Sequence, residues 1–131
     1  LKDFADKKVV LFFYPRDNTS GCTREVCSFR DCYDEIQATG AVVLGISGDS
    51  LESHHNFIAE YNLPFLLLSD GEKQMSAKYG AWGEKKNYGR TYMGMHRITY
   101  LIDERGRVTQ SWPKVRPDKH GEEVLAAIRG G

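Results

Sequence analysis

The run Val9-Val10-Leu11-Phe12-Phe13-Tyr14-Pro15-Arg16-Asp17-Asn18-Thr19-Ser20-Gly21-Cys22-Thr23-Arg24-Glu25-Val26-Cys27 passes from an apolar segment through a turn into a helical pattern. Its first six residues are uninterrupted and rich in β-branched and aromatic side chains, the pattern of a strand buried on both faces. Pro15 ends that strand, because its nitrogen carries no proton for a continuing ladder. Residues 17–21 have turn composition, and beyond them Val26, Phe29, Tyr33 and Ile36 recur at spacings of three, four and three, one face of a helix. Cys22 therefore falls in or beside the first helical turn. Unpaired amides and the positive end of the helix dipole gather there, and both favour a thiolate over a thiol.

At roughly 100° per residue, Cys22 projects onto the face of Val26, Phe29, Tyr33 and Ile36, so its sulfur points toward the sheet. Cys27 lies about 140° away, among Arg24, Asp31 and Asp34, and reads either as a resolving partner for Cys22 or as an idle surface thiol. In an intact helix their α-carbons stand about 8.7 Å apart. A disulfide spans roughly 7 Å at most, so a bond between them requires the first helical turn to unwind. Cys32, on the flank of the apolar stripe, reads as a structural cysteine.

Strands and helices alternate along the remaining chain without a linker, repeat or low-complexity tract. Residues 41–47 read as a second buried strand, and Ser50 as the N-cap of a helix that turns Leu51, Phe57, Ile58 and Tyr61 inward. Pro64 breaks that helix before a short strand at 65–68. A helix over about 72–79 ends at Gly80. Residues 98–103 and 107–112 flank a turn containing Gly106, a hairpin signal, and 121–129 form a closing helix with Val124, Leu125 and Ile128 inward and Gly130 as its C-cap. Alternating units followed by a hairpin and a helix predict an α/β fold, a central mixed sheet flanked by helices. The stretch 80–95, with four glycines among Trp82, Tyr88, Tyr92, Met93 and Met95, reads either as a mobile rim leading into Arg97 or as a self-packed surface loop.

At 131 residues with 40% hydrophobic content the chain is long enough for one domain with a sizeable core. Its 18 acidic and 18 basic residues leave no net charge, so no bulk attraction to nucleic acid or to a membrane surface is expected. No secretory apolar region and no apolar run near the length of a membrane span stands out. Three cysteines form an odd count, which suits redox chemistry in a reducing, cytoplasmic setting better than a disulfide scaffold. No dinucleotide or phosphate-loop fingerprint, serine triad or paired-carboxylate site is legible. His54 and His55 diverge on a helix, and the cysteine spacing does not converge on one ion, so no metal and no cofactor are expected. Lys85, Lys86 and Arg90 read as a solvated charge cluster.

Pro15, Thr19 and Cys22 match the Pro-x-x-x-Thr-x-x-Cys signature of the peroxiredoxins. The longer run Gly-Cys-Thr-x-Glu-x-Cys-x-Phe-Arg-Asp, with Trp82-Gly83-Glu84-Lys85-Lys86, Tyr88-Gly89-Arg90, Gly94, Arg97 before Thr99-Tyr100-Leu101-Ile102-Asp103, and the stretch from Trp112 to Leu125, resembles the bacterioferritin comigratory protein, or peroxiredoxin Q, subgroup over essentially the whole chain. The resemblance implies a single thioredoxin-like domain over 1–131 and a thiol peroxidase that needs no cofactor. Cys22 would be the peroxidatic cysteine, oxidised to a sulfenic acid by hydrogen peroxide or an organic hydroperoxide. Cys27 would be the resolving cysteine, and the resulting disulfide would be reduced by thioredoxin or a similar dithiol. Thr19 would accept from the thiol or donate to peroxide, Arg97 would stabilise the thiolate and the leaving oxygen, and Pro15 would shield the sulfur from water. A monomer is expected, since both cysteines of the cycle lie in one helix.

Two features depart from the subgroup pattern. Ser20 stands where the subgroup commonly has proline, which predicts a less rigid loop. The chain opens at Leu1, near the end of the segment that members usually carry before this strand, which predicts a truncated N-terminal segment. On the residues alone two other readings stay open: a general thiol-disulfide oxidoreductase, disfavoured by the absence of a Cys-x-x-Cys motif at Cys22, and a redox-sensing interaction module in which oxidation unwinds the helix.

Overall fold

The structure, a computed structural model, describes residues 7–17, 19–70, 74–87, 89–112, 115 and 119–130. Strand β1 (Val9–Phe13) is buried at every position and pairs in parallel with β2 (Val42–Ser47) and antiparallel with β6 (Ile98–Ile102). Beyond them β3 (Leu66–Ser69) joins β2 in parallel and β7 (Val108–Trp112) joins β6 antiparallel, giving one mixed sheet in the order β3-β2-β1-β6-β7.

Because side chains alternate along a strand, β1 supplies both layers of the core. Val10, Phe12 and the following Tyr14 pack with Val26 and Phe29 of α1 (Ser20–Asp31), Ile36 of α2 (Tyr33–Ala38), Phe57 of α3 (Leu51–Tyr61), and Val124, Leu125 and Ile128 of α5 (His120–Gly130). Val9, Leu11 and Phe13 pack on the opposite side with Leu44, Ile46, Ala81, Met95 and Ile102. α5 lies close along α1. A β-carbon at Gly121 would run into the Ser28 backbone carbonyl and come within 2.8 Å of the Cys32 sulfur, and the Gly121 amide instead donates to Ser28 Oγ at 2.8 Å.

The expected strands and helices are present with small changes of boundary. Ser50 caps α3 by accepting from the Ser53 amide at 3.1 Å. Gly80, at φ +74°, follows α4 (Gln74–Lys78), whose expected first residues lie outside the described ones. The β6–β7 turn carries Gly106 at φ +81° and is held by the Asp103 carboxylate, which accepts from the Arg105 and Arg107 amides at 2.9 Å. Gly130 is the last residue of α5 rather than its cap.

Three readings are corrected. The single helix expected from Val26 to Ile36 is interrupted at Cys32 (φ −114°, ψ 14°), where the thiol donates to the Ser28 carbonyl at 3.2 Å and the Cys32 carbonyl restarts the ladder by accepting from Ile36. The apolar stripe survives the break. On α3 the inward positions are His54, Phe57, Ile58 and Tyr61, while Leu51 is 63% exposed; a histidine occupies the place in the i, i+3, i+4, i+7 pattern that hydropathy would give to an apolar residue. Finally, the stretch 80–95 is not an irregular loop but carries a two-stranded antiparallel sheet of β4 (Trp82–Asn87) and β5 (Arg90–Met95), with Gly89 at φ +77° in its turn. Its glycines and charged residues hide the strand propensity, and it is held by burial of Ala81 and Met95 beneath the main sheet.

Candidate active site at the start of helix α1

Thr19 is the N-cap of α1 in extended conformation (φ −86°, ψ 156°), and its side chain makes no capping hydrogen bond. Its carbonyl takes the first helical bond, from the Thr23 amide at 2.8 Å, which leaves the amides at 21 and 22 without a partner from the helix ladder. Cys22 sits in that first turn, fully buried and free. The Thr19 hydroxyl, itself exposed, donates to the Arg16 carbonyl at 3.0 Å. Pro15, half-buried, directly follows Tyr14 at the end of β1.

Arg97 comes from the strand next to β1, at the residue before β6, where Ile98 pairs with Phe13. Its Nη1 donates to Glu25 Oε1 at 2.8 Å, and the guanidinium is within hydrogen-bonding reach of the Cys22 sulfur. Burial works against the Arg97 charge, but Glu25 and then Cys22 outweigh it, so the Arg97 pKa moves upward. The structure therefore brings Thr19, Cys22 and Arg97 to the start of α1, with Pro15 just ahead of them. It does not bring Cys27 to Cys22: both belong to one continuous helix, at the spacing that keeps their sulfurs apart.

Cys27 is half-buried, and burial, with help from Asp31 and against Arg30, raises its pKa. Cys32 is pushed up to about 11, mainly by burial and then by the Glu35 and Glu122 carboxylates. These two thiols stay protonated at neutral pH.

The sequence reading passed over three groups. Glu25 is fully buried. Desolvation pushes its pKa up to about 7 despite the opposing pull of Arg97, and its Oε2 has no hydrogen-bond partner among the described residues. The available signal was a carboxylate at the third position after Cys22, inside an otherwise apolar helical stripe. His120, at the start of α5, is buried edge-on against Phe29 and Trp112 and shares a 2.7 Å hydrogen bond with Thr99 Oγ1. Burial drops its pKa to about 4. The third is a set of polar side chains beneath the loop before Cys22, centred on Asp17 and His54.

His54 is buried and the adjacent His55 exposed, and among the described residues no group of three or more His, Cys, Asp or Glu side chains is placed to hold a metal. No described helix is long and apolar enough to cross a membrane.

The AhpC/TSA family model matches residues 1–111. Over 129 residues the chain is 44% identical to peroxiredoxin Bcp of Bacillus subtilis, covering 98% of this chain and 82% of that one. The chain belongs to the peroxiredoxins, in the Bcp or peroxiredoxin Q subgroup. Peroxiredoxin Bcp of Escherichia coli is 41% identical over 125 residues, 95% of this chain and 80% of the relative. Among solved structures, the bacterioferritin comigratory protein of Xanthomonas campestris, studied for alkyl peroxide reduction, superimposes with a TM-score of 0.93 at 37% identity, covering 98% of this chain and 82% of the other. Peroxidoxin BcpB of Mycobacterium tuberculosis superimposes with a TM-score of 0.84 at 33% identity, over 97% and 81% of the two chains. The fold is thioredoxin-like. This peroxiredoxin is a thiol peroxidase, acting on peroxides with a thiol reductant.

Proposed function

We propose that this peroxiredoxin reduces hydrogen peroxide and organic hydroperoxides at Cys22, with Cys27 as the resolving cysteine and thioredoxin or a similar dithiol as the reductant. The observation that carries the assignment is the burial of Cys22 in the first turn of α1 together with its interaction with the Arg97 guanidinium.

The Cys22 thiolate attacks the terminal peroxide oxygen, the O–O bond breaks, and the departing alkoxide or hydroxide takes up a proton as alcohol or water, leaving a sulfenic acid. Arg97 faces the charge that moves from sulfur to the leaving oxygen. Because the Thr19 proton is already given to the Arg16 carbonyl, Thr19 meets the peroxide as an acceptor, taking a hydrogen bond from its O–H. The amides at 21 and 22 supply donors, and Pro15 limits water at the sulfur. Cys27 sulfur then displaces water from the sulfenic acid as the S–S bond forms. That step demands unwinding of the first turns of α1, since the intact helix holds the α-carbons about 8.7 Å apart.

The same reading takes residues 1–131 as one domain that acts as a cytoplasmic monomer, because the disulfide needs no second chain. Mixing the reduced protein with one equivalent of hydrogen peroxide and mapping sulfur bonds by peptide mass spectrometry tests it. A Cys22–Cys27 linkage is expected. An unreactive Cys22 would overturn the assignment, and a lasting Cys22 sulfenic acid would remove Cys27 from the cycle.

A further inference from the structure

The loop between β1 and α1 rests on a buried polar assembly that the peroxide chemistry above does not use. Asp17, five residues before Cys22, is held on both sides. Its backbone amide donates to Asp49 Oδ2 at 2.7 Å. Its Oδ1 accepts from the Tyr14 hydroxyl at 2.6 Å, and its Oδ2 accepts from Ser53 Oγ at 2.8 Å and from His54 Nδ1 at 2.7 Å. Asp49 is itself fixed by the Ser47 hydroxyl at 2.7 Å. The Arg16 carbonyl, on the same peptide unit as the Asp17 amide, is the acceptor for the Thr19 hydroxyl.

The protonation of His54 follows from its partners. Nδ1 faces a carboxylate and Nε2 faces the Leu68 carbonyl at 3.1 Å. Neither partner can donate, so both ring nitrogens carry protons and the side chain is an imidazolium. It is 1% exposed and forms a buried ion pair with Asp17 that links three elements: the loop, α3 and β3. The groups facing it are Asp17 from the loop, the Tyr14 hydroxyl at 3.4 Å from the end of β1, the Leu68 carbonyl from β3, and Asp49 from the turn after β2. Burial opposes its charge, and Asp17, Leu68 and Asp49 together outweigh that, so its pKa is raised.

We propose that His54 is a positioning residue of the peroxidatic centre: bridging Asp17 to the Leu68 carbonyl, it holds the loop that aims Thr19 and keeps the first turn of α1 folded, so losing it slows peroxide attack at Cys22 and speeds formation of the Cys22–Cys27 disulfide. The inference rests on Cys22 as the peroxide-reactive thiol. The two effects have opposite signs because attack requires the folded first turn and disulfide formation requires its unwinding. General loss of structure would not divide them this way.

Rapid-mixing measurement of the two steps in His54→Phe and His54→Asn tests the idea. His54→Phe keeps the ring and removes both donors; Cys22 oxidation is expected to slow roughly tenfold and disulfide formation to accelerate severalfold, within the range for misplaced reacting groups. His54→Asn keeps one donor near Asp17, and the oxidation rate is expected to recover to within about threefold of the parent. Equal slowing of both steps, or no change in either, would overturn the proposal. A measurement on the unaltered protein covers the case in which the variants do not fold: nitrogen-15 spectra at pH 7 should show both His54 ring nitrogens protonated, and a bare ring nitrogen would overturn it. Cys22→Ser, measured alongside, separates the two ideas. Full turnover by that variant removes the Cys22 assignment, whereas an inactive Cys22→Ser with unchanged rates in His54→Phe removes only the role of His54.

Discussion

Thr19 and Asp49 grip opposite ends of one peptide unit: the Thr19 hydroxyl donates to the Arg16 carbonyl at 3.0 Å, and the Asp49 carboxylate accepts from the Asp17 amide at 2.7 Å. The N-cap of the helix that carries Cys22 is thereby tied to the turn after β2, an element distant in sequence. Peroxide attack depends on donors and acceptors held within a fraction of an ångström, so the precision of the site is set partly by residues that never meet the substrate.

Cys22→Ser should abolish peroxide consumption. Cys27→Ser should complete one oxidation and then fail to recycle with a dithiol, and Cys32→Ala should turn over like the parent protein, since the Cys32 thiol is spent on the Ser28 carbonyl. Peroxide consumption with excess thioredoxin and reductase distinguishes the three.

Replacing Arg97 with methionine should slow Cys22 oxidation by about 10²- to 10³-fold, the usual loss for one preorganised donor to a developing oxyanion. The stability loss should be smaller than for a typical broken buried pair, about 3–5 kcal/mol, because Glu25, with its pKa already at about 7, can take up a proton instead of remaining a buried anion. Stopped-flow oxidation and urea unfolding at pH 7 read the two effects separately.

Glu25 makes stability fall with rising pH. Its folded pKa of about 7 stands above the ordinary value of 4.5, so between these values the folded state holds a proton that the unfolded chain has released. The contribution is complete below about pH 4.5 and gone once pH has passed about 7. At about 1.4 kcal/mol per pH unit the loss is on the order of 3 kcal/mol. Glu25→Gln should not show this fall, and unfolding curves of both proteins across that range check it.

His54 works with the same sign over a higher range. Its pKa is raised above the ordinary 6.5, so the Asp17–His54 pair is fully formed below that value and is lost as pH rises through the folded pKa. The melting-temperature difference between the parent protein and His54→Asn should be greatest in mild acid and shrink on the alkaline side.

Gly121→Ala should destabilise the fold by about 1–3 kcal/mol, the usual cost of overpacking, because the new methyl meets the Ser28 backbone carbonyl, which cannot rotate away. Thermal unfolding measures it.

Much of this protein was legible in its local patterns. Unbroken apolar residues from Val9 to Tyr14, Pro15, the turn and the spacing of Val26, Phe29 and Ile36 determine a buried strand, a loop and a helix with Cys22 in its first turn, because strand period, proline and helix period act between near neighbours. The distance between Cys22 and Cys27 follows from helix geometry alone. The hairpin of β4 and β5 was not legible, since strand stability there comes from cross-strand partners and from Ala81 and Met95 buried under the sheet.

The tertiary structure alone decided which charges meet. Arg97 before β6 reaches Glu25 and Cys22 on α1, and His54 on α3 closes onto Asp17. Nothing periodic announces such pairs. A buried carboxylate such as Glu25 or a buried histidine such as His54 interrupts an apolar stripe without naming its partner, and only burial together, where unpaired charge is expensive, selects it.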